Sequence, residues 1–179
     1  MVPARQLTTS ELEAGLDEIR RSPADSGVLR LIVRRPAADD REELQEGTLD
    51  PAAGLVGDCW SAGRRTNPDT QLTLMNARTI ALIADVPERW SLAGDQLFID
   101  LDLSTDNLSP GTRLSIGSAV IEVTAEPHSG CRKFRDRYGL AAMKFVNSET
   151  GRRLNLRGLN ARVIQPGTIR LGDVVKKIV

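Results

Sequence analysis

From Leu97 onward the chain is written in short apolar alternations, a period that extended strands satisfy and helices do not. Leu97-Phe98-Ile99, Arg113-Leu114-Ser115-Ile116 and Val120-Ile121-Glu122-Val123 read as strands. So do Ala161-Arg162-Val163-Ile164, Thr168-Ile169-Arg170-Leu171 and Val174-Val175. Turn formers separate them: Asn107 to Gly111, Gly117-Ser118, Pro166-Gly167 and Gly172-Asp173. Short strands so closely spaced predict a mainly β fold, a barrel or bent sheet with peripheral α-helices outside it (α+β). At 179 residues the chain is long enough to close a substantial core.

The segment before Leu97 is mixed. Ser10-Glu11-Leu12-Glu13 has the form of a capping box, and Leu12, Leu16 and Ile19 follow at helical spacing. A helix from Thr9 to Arg21 is expected, ending before Ser22-Pro23, so residues 1–26 read as an N-terminal helical extension and 27–179 as the barrel domain. Val28 to Val33 reads as a strand. Residues 37–68 are rich in Asp, Glu, Gly and Pro and predict a long loop. Leu72-Thr73-Leu74 is expected to lead into a helix over 76–84, with Asn76 as N-cap. After Cys131 the pattern predicts a helix broken near Gly139 and ended by the Ser148 to Gly151 turn.

The 24 basic and 24 acidic residues balance, which argues against a general nucleic-acid binder. Charge is nevertheless segregated: Arg132, Lys133, Arg135, Arg137, Lys144, Arg152, Arg153, Arg157 and Arg162 crowd the C-terminal half. That asymmetry fits a small anionic ligand or an ordinary solvated face. No apolar run approaches a membrane span and no signal-peptide core is seen, so a cytoplasmic chain with reduced thiols is expected. Two cysteines and one histidine are too few for a structural zinc site. Nucleotide-binding glycine loops, a GxSxG elbow and an HExxH pair are missing.

Cys131 stands out among the chemical candidates. It lies three residues after the only histidine, His128, between a strand and a basic helix-like run. Helix amides and the charges of Arg132, Lys133 and Arg135 would favour the thiolate, the form that attacks sulfur and ligates metals. The alternative is a small packed hydrophobe. His128 reads as a base or as a hydrogen-bonded turn residue. Asp95, after Gly94, reads as a polar group at a pocket mouth or as part of a tight turn, and Asp58 has the same ambiguity. Arg157 and Arg162 are possible phosphate forks or solvated strand residues.

Taken in order, Gly54 to Asp58, Gln71 to Asn76, Leu92 to Ser104, Leu108 to Thr124, Pro127 to Cys131 and Gly158 to Asp173 form a set that resembles the MOSC domain. That is the C-terminal module of molybdenum cofactor sulfurases, and the chain is most similar to the small stand-alone bacterial type. The resemblance covers residues 27 to 178 and implies a β-barrel with peripheral helices. It implies binding of the molybdenum cofactor, sulfur transfer, or both. Cys131 matches the family cysteine thought to carry sulfur or ligate molybdenum, and so becomes the catalytic and metal-ligand candidate. Asp58, Asn76, His128, Lys133, Asn160 and Arg162 become candidates for cofactor binding. Many members carry a histidine soon after the Gly-Asp pair, where this chain has Cys59-Trp60. Relatives that reduce N-hydroxylated compounds imply an oxidoreductase supplied by an electron-transfer protein, and the sulfurases imply a separate cysteine desulfurase. The alternative is a non-catalytic module for a small anion or a partner protein.

Overall fold

The computed structural model describes residues 5–63 and 66–178; residues 1–4, 64–65 and 179, parts of the expected N-terminal extension, long loop and barrel domain, lie outside that set. Eleven strands fall in the order β1 (Ser26–Arg34), β2 (Glu42–Leu44), β3 (Glu46–Asp50), β4 (Gly54–Leu55), β5 (Leu72–Asn76), β6 (Leu97–Asp100), β7 (Arg113–Ile116), β8 (Ala119–Val123), β9 (Leu159–Gln165), β10 (Gly167–Arg170) and β11 (Val174–Ile178). The sheet order β11-β7-β8-β9-β5-β6-β1 closes on itself because β11 also pairs with β1, giving a closed seven-strand barrel. β5 and β6 run parallel and the other barrel neighbours antiparallel. β10 leaves the barrel wall to build a small sheet with β3 and β4.

Alternation sorts the apolar side chains into two cores. Leu97 and Ile99 of β6 point into the barrel with Leu72, Leu74, Leu114, Ile121, Val163 and Val175. Phe98, between them, faces outward into a second core with Met75, Phe134, Tyr138 and Leu156. In β1 a register shift between Leu29 and Leu31 lets Leu29 and Ile32 both face the barrel interior, although they are three positions apart.

The helices α1 (Thr9–Ala14), α2 (Leu16–Arg20), α3 (Ala77–Ala84), α4 (Arg132–Tyr138), α5 (Leu140–Asn147) and α6 (Glu149–Arg153) cover the outside. Leu12 and Ile19 of the N-terminal pair are buried in the second core. Asn76 caps α3, its Oδ1 accepting from Thr79 N at 2.9 Å. Gly139 separates α4 from α5 at φ +95°, a conformation that glycine adopts freely.

Four expectations are corrected. The N-terminal helix is two helices that meet at Gly15, and its capping box is Thr8 with Glu11, two residues earlier than expected. The 37–68 stretch is not a plain loop. It holds β2, β3, β4 and a 3₁₀ turn at Cys59–Ala62, with Gly47 and Leu49 facing inward and charged neighbours facing out. The Ser148 to Gly151 stretch begins α6, because the Ser148 hydroxyl accepts from Gly151 N at 2.9 Å and caps it. β9 starts at Leu159, earlier than the apolar alternation alone shows. No helix among the described residues is long and apolar enough to cross a membrane.

Candidate functional site

Four stretches distant in sequence border one cavity of about 260 Å³: the turn after β1, the Cys59 turn, Ala93-Gly94 before β6, and Cys131 with α4. Four cations line it, Arg35, Arg41, Lys133 and Arg137, with Asp39 the one acid among the described lining residues. Both cysteines of the chain also line it.

Arg35 is fixed by a fork. Its Nε donates to Asp58 Oδ2 at 2.9 Å and its Nη2 to Asp58 Oδ1 at 2.8 Å, while Nη1 reaches the Gly94 carbonyl at 2.9 Å. Asp58 also accepts from the backbone N–H groups of Arg35 and Trp60, each at 3.0 Å, which caps the 3₁₀ turn carrying Cys59. Burial pushes the Asp58 carboxyl up, but the hydrogen bonds and charge of Arg35 outweigh it and hold the group below the usual carboxylate range. Burial likewise pulls the Arg35 guanidinium down, and Asp58 more than restores it.

Arg41 is held by the Ser91 and Asp40 carbonyls, at 3.2 and 2.6 Å. Its guanidinium is pulled below the usual arginine range by partial burial and then by the charges of Arg137 and Arg35. Three guanidiniums therefore crowd one another here, an arrangement that an anion relieves. Asp39 Oδ1 accepts from Lys133 Nζ and Arg137 Nη2, each at 3.0 Å, and the lysine holds its carboxyl below the usual range.

Cys131 is the N-cap residue of α4, yet its exposed side chain makes no capping bond, so the sulfur stays available. The peptide before it is clamped. Gly130 N donates to Asn147 Oδ1 at 2.8 Å, and Asn147 Nδ2 donates to the Gly130 carbonyl at 3.0 Å. Upstream, Asn160 Nδ2 donates to the carbonyls of Glu126 and Pro127, at 3.1 and 3.3 Å. His128 Nε2 lies 2.9 Å from Asp95 Oδ1, and Asp95 Oδ2 accepts from Arg157 Nη1 at 2.6 Å. Complete burial pushes the Asp95 carboxyl up, but Arg157 and His128 together hold it below its usual range. The Arg157 guanidinium stands over the Phe134 ring, 5.0 Å from its centroid, which ties this network to the first turns of α4.

Of the residues expected to form a site, Cys131 and Lys133 line the cavity. Asp58 does not border it; with its side chain wholly buried, it serves to aim Arg35. His128 and Asn160 fix the backbone leading to Cys131. Asn76 is spent on its cap and on bonds to Ser22 Oγ and the Leu101 carbonyl, both at 2.8 Å. Arg162 lies on the barrel wall, paired with Glu122 at 2.7 Å and Asp69 at 3.2 Å. Asp95 is not at a pocket mouth but fully buried, and Arg157 is buried beside it. Sequence reading missed Arg35, Arg41, Asp39 and Asn147. The Arg34-Arg35-Pro36 strand end was the visible signal for Arg35; nothing local marks Asn147.

A wider concavity of about 670 Å³ is bordered by Arg113, Glu122 and Lys177 and bears no thiol. Arg113 pairs there with Glu122 at 3.0 Å and Lys177 with Asp25 at 3.2 Å, as Arg35, Lys133 and Arg137 pair with Asp58 and Asp39 in the smaller cavity. Among the described residues no group of three or more His, Cys, Asp or Glu is placed to hold a metal ion.

The fold has counterparts of known structure. The YUAD protein of Bacillus subtilis superposes with a TM-score of 0.63 at 14% identity, over 85% of this chain and 95% of that one. YiiM of Escherichia coli gives 0.56 at 22% identity, over 85% and 70% of the two chains. YiiM of Geobacillus stearothermophilus gives 0.56 at 14%, over 86% and 73%. At such identities the likeness is one of fold. None of the curated proteins matches the chain in sequence. The family model of the MOSC domain matches residues 64–176, a span that holds five of the seven barrel strands and the first part of β11, with α4 and Cys131, and so the chain belongs to the MOSC domain family.

Proposed function

We propose that this protein is a sulfur-handling module for the molybdenum cofactor, in which Cys131 carries sulfane sulfur as a persulfide and presents it to molybdenum. The observation that supports this is the exposed Cys131 side chain on a cavity where four cations face one acid. A persulfide is anionic and nucleophilic through its outer sulfur, and such a lining holds anionic sulfur without attracting a bare metal cation.

The residues present fit the cofactor. A soft thiolate suits molybdenum. Among the described residues no donor cluster would cage a free ion, so the metal would rely on sulfur atoms of its own organic ligand, with Cys131 adding one more. Arg35, Arg41, Lys133 and Arg137 would hold the phosphate. The cavity, about 260 Å³, is just below the roughly 300–1,000 Å³ of most ligand sites and suits the anionic end of the cofactor. When bound, the cofactor supplies the redox and sulfur-accepting chemistry. A cysteine desulfurase is the proposed sulfur source, and a role in reducing N-hydroxylated compounds would draw on a separate electron-transfer protein.

The test is elemental analysis and intact mass of protein expressed where the cofactor is made. Molybdenum is expected in the wild type, together with the mass of an added sulfur in protein trapped by alkylation directly after loading with sulfane sulfur, and both should vanish in Cys131→Ala. Molybdenum and sulfane sulfur retained in Cys131→Ala would overturn the proposal. Their absence from both proteins, with phosphate binding intact, would mark a passive anion-binding module.

A further inference from the structure

A persulfide holds its outer sulfur at the sulfane level, whereas sulfide delivered to a metal is two electrons more reduced. Some group must supply those two electrons. The cavity holds a second thiol. Cys59, half-buried on the 3₁₀ turn, lines the same space as Cys131, 72 residues further along the chain. Its backbone is fixed there: Cys59 N donates to the Arg35 carbonyl at 2.7 Å, and Asp58 caps the turn. Arg35 and Arg41 line the same cavity.

We propose that Cys59 is the resolving thiol of this site. The proposal rests on Cys131 carrying a persulfide. In the first step the Cys131 thiolate attacks the terminal sulfur of a polysulfide or of a donor persulfide. A Cys131 Sγ–S bond forms, and the shortened polysulfide or the donor thiolate leaves. In the second step the Cys59 thiolate attacks Cys131 Sγ. The Cys59–Cys131 disulfide forms, the Sγ–S bond of the persulfide breaks, and its electron pair departs with the outer sulfur as hydrosulfide. The two thiols lose two electrons and the sulfane sulfur gains them, so no external oxidant enters. A dithiol reductant of the thioredoxin class then restores both thiols.

The cationic lining suits this step as well as storage. Negative charge moves from the Cys59 sulfur to the departing hydrosulfide, and both ends of that movement lie among Arg35, Arg41, Lys133 and Arg137.

The experiment loads reduced protein anaerobically with inorganic polysulfide, removes the excess, and follows free sulfide and intact mass without added thiol. In the wild type, loss of the added sulfur should accompany stoichiometric sulfide release and a Cys59–Cys131 disulfide on peptide mapping. Cys59→Ser and Cys59→Ala should retain the added sulfur, release sulfide only at background, and discharge when dithiothreitol is supplied. Wild-type protein that keeps its persulfide and forms no disulfide would overturn the resolving role while leaving the carrier reading in place. Sulfane sulfur loaded equally well on Cys131→Ser would overturn the carrier reading itself.

Discussion

Asp95 and Arg157 form an ion pair withdrawn from solvent, 2.6 Å long, with side chains 0% and 7% exposed. The second oxygen of Asp95 meets His128, so the backbone that leads into Cys131 is tied to a buried charge. Removing one member of a buried pair strands the other and costs about 3–5 kcal/mol. Asp95→Ala and Arg157→Met should each lower the urea-unfolding free energy by that amount. The double variant Asp95→Leu with Arg157→Met should recover most of the loss. Strictly additive losses would show that the two groups are energetically independent.

Asp58 makes stability depend on acid. Because Arg35 keeps its carboxyl ionised below the usual range, protons bind the unfolded chain more readily than the folded one. Its contribution is complete above about pH 4, the ordinary carboxylate value, and is lost as pH falls through the depressed folded value. Asp58→Asn should therefore be less stable at neutral pH, and its stability should fall less steeply below about pH 4, by up to about one proton. Melting temperature followed from pH 7 to 2 checks both.

Asn147 closes the two-bond clamp on Gly130. Asn147→Ala leaves a peptide N–H and a carbonyl without these partners, at a cost of about 1–3 kcal/mol. The change should also loosen Cys131, seen as faster amide exchange at Gly130 and Cys131. Asn147→Asp can still accept from Gly130 N but cannot donate to its carbonyl, and should restore only the first bond. Exchange unchanged in Asn147→Ala would show that the clamp does not hold the site.

Gly158 has φ +105°, and a Cβ there would collide with the Leu74 carbonyl oxygen. Backbone strain alone costs about 1–3 kcal/mol in Gly158→Ala, and relief of the collision requires β5 and β9 to part. A Cβ would also lie 3.3 Å from the His128 ring. Reduced stability should therefore accompany a shifted His128 imidazole resonance, which is unambiguous because the chain has one histidine.

In native protein, Cys131 should alkylate before Cys59, since the first side chain is exposed and the second half-buried. Peptide mapping at partial labelling reads the order directly. Labelling of Cys59 first would place the cavity mouth on its side.

The barrel was legible in the sequence because its inner and outer faces alternate through Leu97, Phe98 and Ile99, and because the turns carry their glycines and prolines. The Asn76 cap and the break at Gly139 were also local signals. β2 and β3 were hidden because these short strands carry charged residues on their outer faces, and β4 because two residues are too few to show a period. Cys131 could be singled out from its neighbours. Lys133 and Arg137 were visible in the basic run beside it, but Arg35, Arg41 and Asp39 were not, since Asp39 pairs with Lys133 and Arg137 across more than ninety residues of chain. Ion pairs of that reach leave no periodicity and no spacing to read.

The pairing of Ser26–Val28 with Val174–Lys176 sets the timetable on which this molecule forms. The barrel cannot close until β11 has been synthesised, so β1 and β7 each wait with one unsatisfied edge while the strands between them and β11 are made. Until β11 arrives, the nascent chain is a curved open sheet that other unfinished chains can extend. The open sheet, rather than the finished barrel, is therefore the form that exposes pairing edges to other chains.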